Sequence, residues 1–144
     1  MEPGGLNLRQ MSVFETPDQL YGCIGGLLDK MGTDPDVLAE LQNLRLKVKF
    51  IFNDPESSIF LAVKDGTHSI CCGEARQEPD IELAMSGDVA HYFWMGEINV
   101  MQAITKQQIV ASGSLGKIMK LVPLIKAAIK LYPQHYEQCI SSIG

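Results

Sequence analysis

The spacing of the apolar residues changes near residue 45, and this change constrains the fold more than any other feature. Between residues 20 and 31, leucine, isoleucine and methionine recur every three or four positions, which is the period of an amphipathic helix. From Arg45 to Phe52 apolar and charged residues alternate, which is the period of a strand with one buried face. The chain therefore begins with helices and continues as a sheet.

The first two helices have clear capping signals. Thr16-Pro17 combines a capping hydroxyl with a proline at the first helical position, and Gly32 ends the helix. Asp34-Pro35 begins a shorter second helix. Residues 1–14 lack strong periodicity and are Gly-rich at the start, so we expect a loose lead-in followed by a single domain over residues 15–144.

Four segments after the first strand also have strand character: residues 58–64, 67–73, 80–85 and 108–112. Asp65-Gly66 is a strong hairpin signal, so the second and third strands should pair antiparallel. Helices at both ends of the chain, with most strands grouped between them, are typical of an α+β fold. In such a fold helices pack against a mainly antiparallel sheet.

Three later helices are predicted over residues 87–95, 99–106 and 115–131, with a final turn or two in residues 134–143. Ser86 and Ser114 can cap the first and the last of these helices. Pro123 is expected to kink or split the last helix, because proline lacks the backbone N–H that a helix interior needs. Tyr132-Pro133 is expected to end it.

Composition excludes several classes of protein. Of the 144 residues, 46% are hydrophobic and 20% charged, which is ordinary for a globular domain with a core. A net charge of −5 argues against general nucleic-acid binding, which needs clustered cations to neutralise phosphates. Residues 1–5 lack a secretory leader pattern, and no apolar run approaches the roughly 20 residues that span a bilayer. We therefore expect a cytoplasmic location.

Residue types that could support catalysis or metal binding form no known motif. The histidines are scattered, and neither a nucleophile elbow nor a phosphate-binding glycine loop occurs, so we predict no catalysis, no metal and no cofactor. Asp80 and Glu82 share a strand face and could form a carboxylate pair, although two solvated acids are the simpler interpretation. The cysteines are expected to be structural or free thiols, with sensing by Cys71-Cys72 as a minor alternative.

Lysines are concentrated in one segment near the C-terminus. Residues 98–136 contain five lysines, no arginine and no acidic residue. Four of them surround the polar side of the last helix: Lys117, Lys120, Lys126 and Lys130. A basic amphipathic helix suits an anionic membrane surface or an acidic partner. A core-packing helix with a lysine-rich outer face explains the pattern equally well.

The chain has more apolar surface than one small sheet obviously buries. Residues 93–95 and 100–104 are rich in large apolar side chains, and the strand over residues 58–64 is apolar on both faces. Two explanations are open at this point. The interior is either a well-filled core or a core with a cavity for an apolar ligand.

Three segments of the chain form a recognisable pattern. They are Asp80-Ile81-Glu82-Leu83-Ala84-Met85-Ser86 with Asp88, then Gly96-Glu97-Ile98-Asn99 with Gln102-Ala103, and residues 108–121, in which a strand passes through Gly113-Ser114 directly into a helix. Together they resemble the sterol carrier protein 2 domain family, a family of small lipid carriers. Two positions depart from the family pattern. Val100 stands where proline often follows asparagine, and Gln107 stands where glycine often precedes the fifth strand.

The resemblance implies a five-stranded, mainly antiparallel sheet covered by helices that enclose an apolar tunnel. The tunnel-lining candidates are Phe93, Trp94, Met101, Ile104, Ile118, Met119, Val122 and Ile125. The last helix would act both as a lid and, through its four lysines, as a membrane-docking face.

The implied function is to bind and to transfer or present a lipid, such as a fatty acid, acyl-CoA, phospholipid, sterol or isoprenoid. The alternative is a non-catalytic scaffold subunit that presents a lipid-like intermediate to partner enzymes. The expected partners are therefore an apolar lipid, an anionic membrane surface in transient contact, and a lipid-metabolising enzyme, but no nucleic acid.

Overall fold

The computed structural model describes residues 12–143 and forms one sheet with helices packed against it. The strands are β1 (Leu46–Asn53), β2 (Ser57–Lys64), β3 (Thr67–Cys72), β4 (Ile81–Ser86) and β5 (Val110–Ser112). The helices are α1 (residues 17–30), α2 (Pro35–Gln42), α3 (Gly87–Trp94), α4 (Val100–Thr105), α5 (Leu115–Ile129) and α6 (Tyr132–Ile143). The predicted α+β class and five-stranded sheet are confirmed.

The sheet has the strand order β3-β2-β1-β4-β5. Neighbouring strands pair antiparallel, except that β1 and β4 run parallel with Val48 opposite Ile81. The predicted β2–β3 hairpin turns at Asp65-Gly66, where both residues have positive φ angles. The β1–β4 pair is therefore the one parallel pair in an otherwise antiparallel sheet. It joins the first three strands of the chain to the last two.

The core lies on one face of the sheet. Leu46, Val48, Phe50 and Phe52 alternate along β1 and are all buried, whereas Lys47 between them is exposed. The period-two pattern of the sequence thus reports the buried face correctly, because successive strand residues point to opposite sides. Apolar residues of α1, α3 and α5 complete this core.

Helix α1 is built from three segments and holds half of a disulfide bond. Thr16 caps it as predicted, and its parts are Pro17–Leu20, a π-helical segment Tyr21–Gly25, and Gly26–Lys30, followed by a 3₁₀ turn Met31–Thr33. Cys23 in the π-helical segment bonds to Cys139 of α6. The expectation of free or structural thiols was therefore incomplete. Only Cys71 and Cys72 remain as free thiols among the described residues.

Helix α5 is one continuous element, so of the two outcomes predicted for Pro123, a kink or a split, the split is wrong. Ser114 caps the helix by accepting a hydrogen bond from the backbone N–H of Lys117 at 3.1 Å. Pro123 leaves the carbonyl of Met119 without its helical donor. Both residues are exposed, so water can serve that carbonyl and the helix continues.

Both ends of the described chain are more ordered than the sequence predicted. Residues 134–143 were expected to add a turn or two, but α6 is a helix of 12 residues that begins at Tyr132-Pro133. Phe14, assigned to the loose lead-in, is only 2% exposed, and the backbone N–H of Val13 donates to Asp88 at 2.9 Å. Residues 1–11 of the lead-in predicted for residues 1–14 lie outside the described residues.

Candidate functional site

An apolar cleft of about 360 Å³ lies between the α3–α4 connection and the second half of α5. Its apolar lining comes from Phe93 of α3, Val100 of α4, and Val122, Ile125 and Ile129 of α5, together with Ile98 of the connection. This volume falls at the small end of the range for ligand-binding pockets. The cleft is open to solvent on one side, so the enclosed tunnel stays a prediction.

Local sequence signals hold the α3–α4 connection against α5. Ser86 caps α3, and the side chain of Asn99 caps α4 by accepting from the backbone N–H groups of Met101 and Gln102 at 2.9 and 3.1 Å. Gly96 between them has a φ of +83°, and a Cβ there would lie 3.1 Å from Cγ2 of Ile129. Glycine is therefore needed both for the turn and for the close approach to α5.

Polar groups at the rim of the cleft come from both sides. Glu97, Asn99 and Gln102 lie on the side of α4, and Lys126 lies on the side of α5. All four residues are exposed, whereas Phe93 and Ile125 inside are buried. An apolar interior with an amide- and charge-bearing rim suits a ligand with an apolar body and a polar or charged end.

The structure brings together three of the eight predicted lining residues. Phe93, Val122 and Ile125 line the cleft directly. Trp94 and Ile118 are buried in the core, and Met101 and Ile104 pack against the core while half-buried. Met119 is 49% exposed on the outer side of α5, outside the cleft, because it points roughly 100° away from its neighbour Ile118 around the helix.

The α3–α4 connection supplies cleft residues that the residue-level prediction missed. Gly96 and Ile98 of the connection line the cleft, as do Val100 at the start of α4 and Ile129 at the end of α5. The signal for the connection was already present in the Gly96-Glu97-Ile98-Asn99 match to the family pattern. The other departure from that pattern, Gln107, adopts a φ of +62°, a conformation that glycine adopts with less strain.

The lysines predicted for membrane docking divide into two groups. Lys117 forms an ion pair with Asp80 at 3.3 Å, and Lys130 forms one with Asp36 at 2.9 Å, which raises the pKa of Lys130. Lys120 and Lys126 are exposed. Beside Lys120, Leu115 and Met119 are 60% and 49% exposed, so the start of α5 presents apolar side chains and ammonium groups together. We call Leu115, Met119 and Lys120 the α5 patch.

Asp80, one of the two acids considered as a carboxylate pair, has a structural role. Its carboxylate accepts the backbone N–H of Lys47 at 2.8 Å and the ammonium of Lys117 at 3.3 Å. The hydrogen bond from Lys47, more than the nearby charges, lowers the pKa of Asp80. Asp80 therefore joins β1 to α5 as an ionised group, a role that differs from both the carboxylate pair and the solvated acid considered from the sequence.

His91 is the only buried polar or charged residue in the described part of the chain. Its Nδ1 lies 2.9 Å from the hydroxyl of Tyr132. Burial lowers the pKa of His91, although the charges of Glu97 and Asp88 partly oppose this effect. Surrounded by aromatic rings, it is a satisfied core histidine.

Residues 12–143 offer neither a metal site nor a membrane-spanning helix. They contain no group of three or more histidine, cysteine, aspartate or glutamate residues that could hold a metal ion. None of the helices in this part of the chain is long and apolar enough to cross a membrane.

The family model of the SCP-2 sterol transfer family matches residues 25–126, which include the sheet, the α3–α4 connection and most of α5. The chain belongs to the SCP-2 sterol transfer family. The predicted resemblance is thereby confirmed. The match ends at the cleft residue Lys126, so α6 and its disulfide bond lie beyond it. No curated protein matches the sequence.

Solved structures of the SCP-2 type share the fold. Sterol carrier protein domain 2 of Helicoverpa armigera has a TM-score of 0.63 at 19% identity, covering 78% of this chain and 89% of that chain. A sterol carrier protein 2 from Aedes aegypti, in complex with the C16 fatty acid palmitate, gives 0.52 at 17% identity, with 77% and 94% covered. UbiJ-SCP2, a ubiquinone synthesis protein, gives 0.58 at 15% identity, with 78% and 96% covered.

The fold also occurs within a much longer protein. The inverting sec-alkylsulfatase Pisa1 from Pseudomonas sp. has a TM-score of 0.54 at 13% identity over 62% of this chain. The chain spans only 14% of the length of that sulfatase. At sequence identities between 13% and 19%, these similarities show a shared fold and nothing more.

Proposed function

We propose that the chain binds one lipid with its apolar portion in the cleft between the α3–α4 connection and α5, and transfers or presents it without catalysis. The observation that carries this proposal is the apolar lining of Phe93, Val122, Ile125 and Ile129 in a chain of the SCP-2 sterol transfer family. The palmitate complex of the Aedes aegypti protein of the same fold supports it.

Binding would be driven by removal of apolar surface from water. Each methylene buried in the cleft contributes roughly 0.8 kcal/mol, less the cost of immobilising the chain. The aliphatic walls have no polar atom to fix a ligand's position, so they select by length and width. We therefore expect several lipids of similar girth to bind, with the polar rim holding any charged end.

The start of α5 supports contact with an anionic membrane surface. The α5 patch exposes two large apolar side chains beside the ammonium group of Lys120, which forms no ion pair with another described residue. Interfacial helices use this combination of apolar and cationic side chains. Lys126 at the cleft rim lies further along the same helix. We propose a cytoplasmic protein that docks transiently through α5, with Lys117, Lys120, Lys126 and Lys130 adding long-range attraction.

Native mass spectrometry of the freshly purified chain, followed by solvent extraction, tests lipid binding directly. Val122→Trp would fill the cleft, whereas Met119→Trp places the same side chain on the exposed side of the same helix. We expect bound lipid in the wild type and in Met119→Trp, and its loss in Val122→Trp with an unchanged circular dichroism spectrum. A lipid-free wild type that also takes up no added fatty acid would contradict the proposal.

A scaffold that presents a lipid-like intermediate to partner enzymes is the second candidate. The likeness to UbiJ-SCP2, a ubiquinone synthesis protein, favours it. The two functions differ in what the bound lipid does. Exchange of a fluorescent lipid between donor and acceptor vesicles would support transfer, whereas retention of the lipid together with reproducible co-purification of particular enzymes would support the scaffold.

A further inference from the structure

Trp94 carries a buried hydrogen-bond donor that has no partner. The side chain is only 2% exposed, and its Nε1 is the one buried side-chain nitrogen or oxygen without an acceptor in the part of the chain described. An unsatisfied buried donor destabilises a protein by about 1–3 kcal/mol. Such groups are rare in native structures and call for an explanation.

Trp94 lies one layer behind the cleft. Its ring centroid is 5.0 Å from that of Phe93, which lines the cleft, and 6.3 Å from that of Phe50 in β1. Because consecutive helical residues point about 100° apart, Phe93 faces the cleft while Trp94 faces the sheet. A ligand in the cleft would contact Phe93, whose ring packs directly on that of Trp94.

The surroundings of Trp94 restrict the acceptor to an uncharged group. No lysine or arginine is buried in the described core, and the one buried histidine already uses Nδ1 to contact Tyr132. A carboxylate buried beside Trp94 would lose its hydration without gaining a cationic partner, and the free-energy cost of this desolvation is large. A hydroxyl or carbonyl oxygen loses far less and can accept the indole N–H.

We propose that the indole N–H of Trp94 is the interior anchor for the ligand's polar atom, so that the preferred ligands are apolar molecules bearing an uncharged hydroxyl or carbonyl oxygen. This inference rests on the proposed lipid binding in the cleft. The oxygen enters first and accepts the N–H, and the hydrocarbon portion fills the space lined by Phe93, Val122 and Ile125. Ionised fatty acids bind in the opposite direction, with the carboxylate at the rim near Lys126.

The test compares four chains of equal length: dodecanol, dodecanone, dodecane and dodecanoate. Each is delivered from cyclodextrin, and its affinity is measured by displacement of anilinonaphthalene sulfonate from the wild type and from Trp94→Phe. The affinity of dodecanol or dodecanone is divided by that of dodecane, and comparing this ratio between the two proteins cancels the differences in solubility among the ligands. We expect this ratio to fall about tenfold in Trp94→Phe, and the ratio of dodecanoate to dodecane to stay unchanged.

A second measurement uses the fact that Trp94 is the single tryptophan of the chain. Its emission should shift to longer wavelength with dodecanol and dodecanone but not with dodecane. Replacement of Trp94 by benzothienylalanine, which keeps the shape and lacks the N–H, covers the case in which Trp94→Phe fails to fold. This replacement should reproduce the tenfold fall in the ratio while leaving dodecane binding unchanged.

The outcomes separate the anchor from the proposed function. Equal ratios in the wild type and in both replacements would overturn the anchor, as would a uniform loss of all four ligands from a folded replacement. In either case lipid binding by the wild type would still stand. A wild type from which none of the four chains displaces the fluorophore would overturn the proposed function and the anchor together.

Discussion

The Nδ1 atom of His91 lies 2.9 Å from the hydroxyl oxygen of Tyr132, and this bond joins the interior of α3 to the first residue of α6. The ring of Tyr136, one turn later, packs on the same imidazole with centroids 4.5 Å apart. The disulfide between Cys23 and Cys139 holds the far part of α6 on α1. Helix α6 is therefore fixed at two points, to α3 at its start and to α1 near its end.

The burial of His91 predicts a loss of stability in mild acid. Burial lowers its pKa below the ordinary value of 6.5, so the unfolded chain binds the proton at a higher pH than the folded chain does. The free energy of unfolding should therefore fall as the pH drops through about 6.5, until the folded chain also binds the proton. Urea unfolding at several pH values measures this slope. His91→Gln should flatten it, and an unchanged slope in that variant would contradict the assignment.

Loss of the Tyr132 hydroxyl should destabilise the protein without removing the pH dependence. Tyr132→Phe leaves the buried ring nitrogen of His91 unpartnered, which should cost about 1–2 kcal/mol near neutral pH. Urea unfolding of the variant gives this value. Tyr136→Phe serves as the control, since its hydroxyl makes no hydrogen bond to His91 in the structure. Equal losses in the two variants would argue against a specific role for the 2.9 Å contact.

The disulfide predicts a difference between two pairs of cysteines. Without reductant, alkylation should label Cys71 and Cys72 only, with Cys72 slower because burial raises its pKa. Cys139→Ser should lower the free energy of unfolding by roughly 2–5 kcal/mol, because the bond closes a long loop of the unfolded chain. Cys71→Ser, at an exposed site, is the control. Labelling of all four cysteines in the native, unreduced protein would show that the bond is absent.

Two glycines at the β5–α5 junction should respond oppositely to alanine. Gly113 has a φ of +119°, and a Cβ there would lie 2.7 Å from Cγ2 of Ile81 and 2.8 Å from the carbonyl oxygen of Asp80. Gly113→Ala should therefore destabilise by more than about 2 kcal/mol. Gly116→Ala meets open space in a helix and should stabilise by about 0.5–1 kcal/mol. Thermal unfolding of both variants measures these changes in stability. Similar changes in the two variants would contradict the packing at Gly113.

The α5 patch predicts charge-dependent binding to membranes. The wild type should bind phosphatidylcholine vesicles only when they contain phosphatidylserine, and less at high salt. Lys120→Glu should weaken this binding by more than about 1 kcal/mol, and Met119→Ser should weaken it further. Lys30→Glu makes the same charge change at an exposed position of α1 and should have a smaller effect. Vesicle sedimentation gives the affinities, and equal effects of the two charge reversals would count against docking through α5.

Sequence reasoning located the strands well and the ends of the chain poorly. Alternation along β1 identifies the buried face because a sheet imposes a period of two whatever packs on it. Tyr132-Pro133 was interpreted as an ending, although a proline in the first turn of a helix loses no internal hydrogen bond. That dipeptide therefore fits the start of α6 equally well. The choice between the two is made by packing against His91, which no local pattern reports.

Only part of the candidate site could be predicted from the sequence, and the reason is related. Helical spacing places Ile118, Val122 and Ile125 on one side of α5, but it does not say how far the α3–α4 connection reaches along that side. The resemblance predicts Met119 as a lining residue, yet its angle around the helix leaves it exposed. The pairing of Cys23 with Cys139, at a separation of 116 residues, left no signal in the spacing of the cysteines.

The parallel pairing of β1 with β4 has a consequence for the order of folding. β1, β2 and β3 follow one another through short turns and can assemble from neighbouring chain segments. β4 reaches β1 only after the whole β2–β3 hairpin and the connection to residue 80 have been closed into a loop, which makes this contact slower to form. Every residue that lines the cleft comes after β4 in the chain. The cleft is therefore a late product of folding, and a partly folded chain should have a sheet edge available but no place for a lipid.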